Sequence, residues 1–165
     1  MLFRSGIDGV EVQLFPGSGV SGTPIKTTIT TANGCYLFDD LTPGDYIIHI
    51  PADQFVTGGP LQDLFSSLPE GGDTSDDDNV DENGQNTPVN GGISSTIINL
   101  VIDGEPTNEP SRSLCASTRP DANENMTVDF GFTPKILQPV AVGNRVWLDN
   151  GAGGGTAGDG IVNRS

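Results

Sequence analysis

The sequence predicts an all-β sandwich of about seven strands, with one short helix and long acidic loops. Three observations predict it. Gly and Pro together make up 35 of 165 residues, so turns are frequent and long helices are disfavoured. Thr is abundant, with 15 residues, which favours strand over helix. Short runs that alternate apolar and polar residues recur at close spacing, the pattern of half-buried sandwich strands. Leu, Ile, Val and Phe number 42 of 165, enough for a modest core in one ordinary domain.

The first strand is predicted over Gly9–Phe15, where Val10, Val12 and Leu14 alternate with Glu11 and Gln13. Pro16–Gly19 ends it. The Thr-rich run Ile25–Thr31 is the second strand. Asn33-Gly34 then supplies the strongest short hairpin signal, and Cys35–Phe38 reads as the returning strand. Asp39–Gly44 is a turn into a further strand, Asp45–Ile50. The one predicted helix lies within Pro60–Pro69. There Leu61, Leu64, Phe65 and Leu68 fall at helical spacing between a proline start and a proline stop. Ile97–Ile102 reads as a strong buried strand and Met126–Phe132 as the closing one. Two prolines mark Thr133–Ala141 as a linker. Beyond it Val142–Asp149 is a new strand carrying the one Trp, followed by a Gly-rich tail.

The net charge is −15, which excludes nucleic-acid binding, because a phosphate backbone needs a basic surface. No run of 18 apolar residues is present, so no membrane span is predicted in this segment. Residues 1–5 do not read as a signal peptide, and both ends read as cuts within an ordered region. Between Lys26 and Arg112 there is no Lys or Arg, and 15 acidic residues occupy that stretch. Seven of them crowd into Glu70–Glu82. Such a run either stays a solvated, self-repelling loop or is neutralised by a cation.

Calcium takes six to eight oxygens, which alternate positions of a tight loop can supply. Asp77, Asn79, Asp81 and Asn83 have that spacing. The match is incomplete: Glu82 stands where a Gly is expected and Pro88 where a bidentate Glu is expected. Further ligands would come from Asp73, Asp103 or Glu105. Other chemistry is poorly supported. The single His49 lies in a predicted strand beside no nucleophile, Gly151–Gly155 lacks the Lys-Ser/Thr of a phosphate loop, and Asn125-Met126-Thr127 is a weak glycosylation match. Cys35 and Cys115 either remain half-buried thiols or pair, the second implying an oxidising compartment.

The pattern Thr28-x-Thr30-Thr31-x-Asn33-Gly34-x-Tyr36-x-Phe38-x-x-Leu41-x-Pro43-Gly44-x-Tyr46-x-Ile48 resembles the prealbumin-like, Cna-B-type Greek-key sandwiches of bacterial surface proteins. Three segments narrow the resemblance to the B-type repeats of serine-aspartate repeat (Sdr) adhesins: Asp76–Asp81, Thr127–Phe132 and Val142–Asp149. In that family the last of these opens a repeat and the Val-Asp-Phe-Gly-Phe strand closes it. The resemblance therefore implies that residues 6–132 are a repeat lacking its own first strand. It implies that 133–141 are a linker, and that 142–165 are the first strand and loop of the next repeat. That tail either folds back onto 6–132 or projects outward. The resemblance strengthens the Ca²⁺ reading of the acidic run. It adds a weaker second site after the Val-Trp-Leu-Asp strand, with Asp149, Asp159 and Asn163 as candidates. Isopeptide cross-linking, known in Cna-B-like domains, is not expected, because Lys26 and Lys135 are the only lysines and Arg145 stands in the opening strand.

The expected function is a non-catalytic, extracellular repeat module at a bacterial cell surface: a calcium-stabilised stalk or spacer in adhesion. Its expected partners are neighbouring repeats of the same protein, with a host or matrix protein or glycan engaged by distal domains. The alternative is a sandwich module that itself binds carbohydrate or protein. Trp147 alternates like a core residue, which disfavours the carbohydrate reading.

Overall fold

A computed structural model describes residues 5–67, 74, 83–85, 91–115 and 117–134. Residues 1–135 form one compact unit, and 136–165 are a second that lies outside the described residues, together with the predicted strand Val142–Asp149 and Trp147.

The described chain is an antiparallel all-β fold of seven strands: β1 Glu11–Pro16, β2 Lys26–Ile29, β3 Gly44–Ile50, β4 Leu64–Ser66, β5 Ile93–Ser94, β6 Ile98–Leu100 and β7 Phe132–Pro134. The main sheet has the order β2-β1-β3, and β3 pairs along its other edge with β5 at one end and β6 at the other. β4 and β7 form a second, two-stranded sheet. Register follows the alternation in β1. Pairing Gln13 with His49 and with Thr27 puts Val12 and Leu14 on one face beside Ile48. That face carries the core of Val10, Val12, Leu14, Tyr46, Ile48, Ile50, Leu61 and Ile98. Each fully buried aliphatic side chain of this set contributes about 1.5–3 kcal/mol.

The Asn33-Gly34 turn is present. Thr31 and Cys35 exchange backbone hydrogen bonds of 2.9 and 2.7 Å, and Ala32, Asn33 and Gly34 all have positive φ. The approach there is close: a Cβ on Gly6 would sit 1.6 Å from the Asn33 carbonyl oxygen.

Four predicted elements differ. The helix within 60–69 is absent among the described residues. Asp63 turns to φ +59°, which breaks the helical path, and Leu64–Ser66 then pair with Phe132–Pro134. Leu61 still plugs the core at 0% exposure, but from a turn. The short α-helix instead lies at Pro110–Leu114. Cys35–Phe38 is not a strand beyond the bridge at Cys35. Its aromatic rings cap the sandwich from an irregular segment, and the Tyr36 hydroxyl donates to the Val128 carbonyl at 2.7 Å. Ile97–Ile102 narrows to Ile98–Leu100, with Ile98 buried and Ile97, Val101 and Ile102 exposed. Met126–Gly131 runs as irregular chain, and the closing strand starts only at Phe132 and continues into the predicted linker.

Candidate metal centre

Of the sequence-predicted ligands, Asn83 is described. Asp73, Asp77, Asn79, Asp81, Asp149 and Asp159 lie outside the described residues, as does Asn163. What is described is how the acidic run is held. The Thr74 carbonyl accepts hydrogen bonds from Asn125 Nδ2 at 2.9 Å and Thr127 Oγ1 at 2.8 Å. Asn125 is set for this by its own turn, in which Oδ1 accepts from Thr127 N and Thr127 Oγ1. At the far end Asn83 N donates to the Asp129 carbonyl at 3.0 Å, and Asp129 N donates to Asn83 Oδ1 at 2.8 Å. Asn83 is 1% exposed.

Residues 74 and 83 are thus fixed on one segment, Asn125–Asp129. Their attachment points at Thr127 and Asp129 are two residues apart, roughly 7 Å along extended chain. By sequence, Asp76, Asp77, Asp78, Asp81 and Glu82 lie between these two anchors. The Asn125 amide that the glycosylation match would modify is committed to Thr74.

Asp103 and Glu105, considered as supplementary ligands, serve the loop that follows β6. Asp103 and Asn123 exchange two hydrogen bonds, and Glu105 Oε1 accepts from Val101 N. Among the described residues no group of three His, Cys, Asp or Glu side chains is arranged to hold a metal ion.

The 103–124 loop carries a feature that the sequence reading missed. Arg112 Nη1 lies 2.6 Å from Asp121 Oδ1 and 3.7 Å from Glu124 Oε2. The Asn108 N–H, and then the Arg112 guanidinium, hold the Asp121 carboxyl below the usual carboxylate range. Glu109, beside Asp121, accepts from Met126 N through Oε1. Glu109 and Glu124 are 7% and 5% exposed. The available signal was Arg112 itself, the first cation after 85 residues without one.

The same loop is stapled to the first hairpin. Cys35 and Cys115 form a disulfide with Cα atoms 5.4 Å apart, which decides the cysteine alternative for pairing. Arg119 Nη2 reaches Asp40 Oδ1 at 2.8 Å and Asp39 Oδ2 at 3.6 Å, and this guanidinium lowers the Asp40 pKa. Burial, with the Asp129 charge adding, pushes the Tyr36 phenol far up, so it stays protonated and can donate to the Val128 carbonyl.

His49 is buried, at 4% exposure. Its Nδ1 lies 2.8 Å from Ser94 Oγ, and its ring meets Phe15 edge-on with centroids 6.0 Å apart. It works as a sheet-packing residue on the face opposite the main core.

Comparison with known proteins follows the same lines. Residues 3–103, more than half of the chain, match the family model for the SdrD B-like domain. Serine-aspartate repeat-containing protein I of Staphylococcus saprophyticus is 43% identical over 54 residues, 33% of this chain and 3% of that protein. Colossin-A of Dictyostelium discoideum is 32% identical over 152 residues, 91% of this chain and 1% of that protein. The chain therefore spans a small fraction of the curated relatives it matches. No solved structure matches it significantly.

Proposed function

Because this chain belongs to the SdrD B-like domain family, we propose that it is a non-catalytic, calcium-stabilised spacer repeat in a larger cell-surface protein, joined end to end with neighbouring repeats. The observation that carries the calcium part is the double anchoring of the acidic run. Thr74 and Asn83 are both fixed to Asn125–Asp129, and five carboxylates are confined by sequence between them. A confined acidic loop repels itself without a cation. Calcium held by Asp77, Asn79 and Asp81, with Asp73 beside the first anchor, turns that repulsion into cross-linking. The loop would then brace the closing segment, and with it the β4–β7 sheet, which stiffens the repeat along its length. Asp149 and Asp159 are carried as ligands of a second, weaker site.

The Cys35–Cys115 disulfide supports an extracellular setting, since such bonds persist in oxidising compartments. No helix among the described residues is long and apolar enough to cross a membrane. Adhesion to a host or matrix protein or glycan is assigned to other parts of the parent protein. The test is thermal unfolding of the chain in EDTA and in millimolar Ca²⁺, with small-angle scattering of a tandem-repeat segment under both conditions. Calcium should raise the midpoint and lengthen the tandem particle. Identical curves in both conditions reject the reading.

A further inference from the structure

The main sheet has an open edge at β2. Among the described residues Lys26–Ile29 pair with β1 alone. Thr30 donates its N–H to the Val10 carbonyl at 2.9 Å, and the register places Val12 opposite Thr28. Bonded and unbonded residues alternate along an antiparallel ladder. Thr28 therefore faces β1, while Thr27 and Ile29 turn their backbone groups to the open edge. The side chains alternate as well. Ile25, Thr27 and Ile29 are exposed on one face, and Lys26 and Thr28 are half-buried on the other. Ile25 and Ile29 are 49% and 48% exposed. Natural edge strands are usually blunted by a charge, a proline or a bulge. The one charge here is drawn aside: Lys26 Nζ donates to the Asp39 carbonyl and lies 3.9 Å from the Asp39 carboxylate.

We propose that β2 is a docking edge for a second copy of this chain. The two copies join β2 to β2 in antiparallel register about a two-fold axis at Thr27, so that the main sheet runs on from one molecule into the next. The sequence is self-complementary about that axis. Thr27 meets Thr27 of the second copy, Ile25 meets its Ile29, and Lys26 meets its Thr28, so no residue faces a like charge. Charge favours a second copy at this edge over any other part of the surface. The chain carries −15, yet residues 12–38 contain no Asp or Glu, the longest such stretch of the sequence. Two anionic copies repel least through it. Asp39, the first acid beyond that stretch, is already paired with Lys26 and Arg119. The contact closes on itself, because an isologous pairing uses the same edge of both molecules. It joins parent proteins side by side, whereas the spacer reading joins repeats end to end, and it rests neither on that reading nor on calcium.

The experiment is sedimentation velocity of the full chain from micromolar to millimolar concentration, at low and high salt, as wild type, I25K/I29K and I25K/I29E. Both positions are exposed, so neither double substitution removes a core side chain. The wild type should form a concentration-dependent dimer that strengthens with salt, as screening weakens the repulsion between the copies. I25K/I29K sets lysine opposite lysine twice and should weaken the dimer about tenfold or more. I25K/I29E sets lysine opposite glutamate in the antiparallel register and should restore it. A wild type that stays monomeric throughout overturns the proposal and leaves the edge to an extended segment of an unlike protein. A dimer unaffected by I25K/I29K, or an I25K/I29E variant as weak as I25K/I29K, overturns it too. Should I25K/I29K not fold, T27P decides. It removes an outward N–H and no hydrogen bond to β1, and a dimer that survives it overturns the proposal.

Discussion

Asn83 and Asp129 hold each other through a reciprocal pair of hydrogen bonds, backbone to backbone at 3.0 Å and backbone to side chain at 2.8 Å. The pair imitates one rung of an antiparallel ladder where no strand exists, with the Asn83 side chain standing in for a second carbonyl. It ties the end of the acidic run to the closing segment. Asn83→Ala removes the acceptor of a part-buried N–H and is expected to cost about 0.5–1.5 kcal/mol. Asn83→Asp keeps an acceptor oxygen but places a charge at a buried position beside the acidic run, so its loss should be larger without calcium than with it. Urea unfolding of both variants in EDTA and in millimolar Ca²⁺ checks this, and an Asn83→Asp loss indifferent to calcium would show that the added charge is not what matters.

The disulfide closes a sequence separation of 80 residues, spanning everything from the first hairpin to the 103–124 loop. In the chain-entropy account a loop of that size is worth roughly 4 kcal/mol. Reduction, or Cys35→Ser with Cys115→Ser, should therefore lower stability by a large fraction of what a domain of this size has. The Arg119 ion pairs with Asp39 and Asp40 span the same gap, but they are exposed and cannot replace it. Chemical denaturation with and without reductant measures the difference.

The parts of the fold legible in the sequence are those where one local rule acts alone. Val10, Val12 and Leu14 alternate, so β1 is found, and Asn33-Gly34 fixes the turn between Thr31 and Cys35 because few residues accept positive φ. The 60–69 segment misleads because Leu61, Leu64 and Phe65 satisfy a helical period. The decision is made elsewhere, by pairing with Phe132–Pro134 some 67 residues away and by the left-handed Asp63. Long-range pairing overrides local period there. Tyr36 and Phe38 pack against the core, yet as caps reaching from irregular chain rather than from the strand that Cys35–Phe38 suggests. The anchors of the acidic run were not legible, since Thr74, Asn125 and Thr127 are ordinary polar loop residues until 50 residues of chain bring them together. Glu109 and Glu124 were passed over for a related reason: without a fold, nothing distinguishes a buried glutamate from a solvated one.

His49 gives a pH prediction. Burial holds its pKa below the ordinary imidazole value, opposed only in part by a backbone hydrogen bond involving Ile93. The folded state therefore binds a proton less readily than the unfolded chain. Its contribution is fully present above the unfolded pKa and is lost as the pH falls from there through the folded value. Wild type should lose stability on going from pH 7.5 to pH values below about 6.5. A His49→Gln variant, less stable throughout, should lose less over that interval. Parallel pH curves for the two proteins would place the acid sensitivity in the carboxylates instead.

Calcium at the acidic run predicts a change in local opening as well as in global stability. A site saturated about 100-fold over its Kd stabilises the folded state by about 2.7 kcal/mol. Trypsin cannot report on it, because there is no Lys or Arg between Lys26 and Arg112. A protease that cleaves at acidic residues can, since Asp73–Glu82 offers it six sites within ten residues: Asp73, Asp76, Asp77, Asp78, Asp81 and Glu82. In EDTA the loop between the Thr74 and Asn83 anchors should be nicked first, before any cut in β1 or β3. In millimolar Ca²⁺ the same cut should slow, because cleavage requires the loop to open and the ion holds it closed. Asp81→Ala should abolish that protection while leaving the order of cleavage in EDTA unchanged. Equal nicking rates with and without calcium would mean that the anchors alone shape this loop and that the ion, if bound, sits elsewhere on the chain.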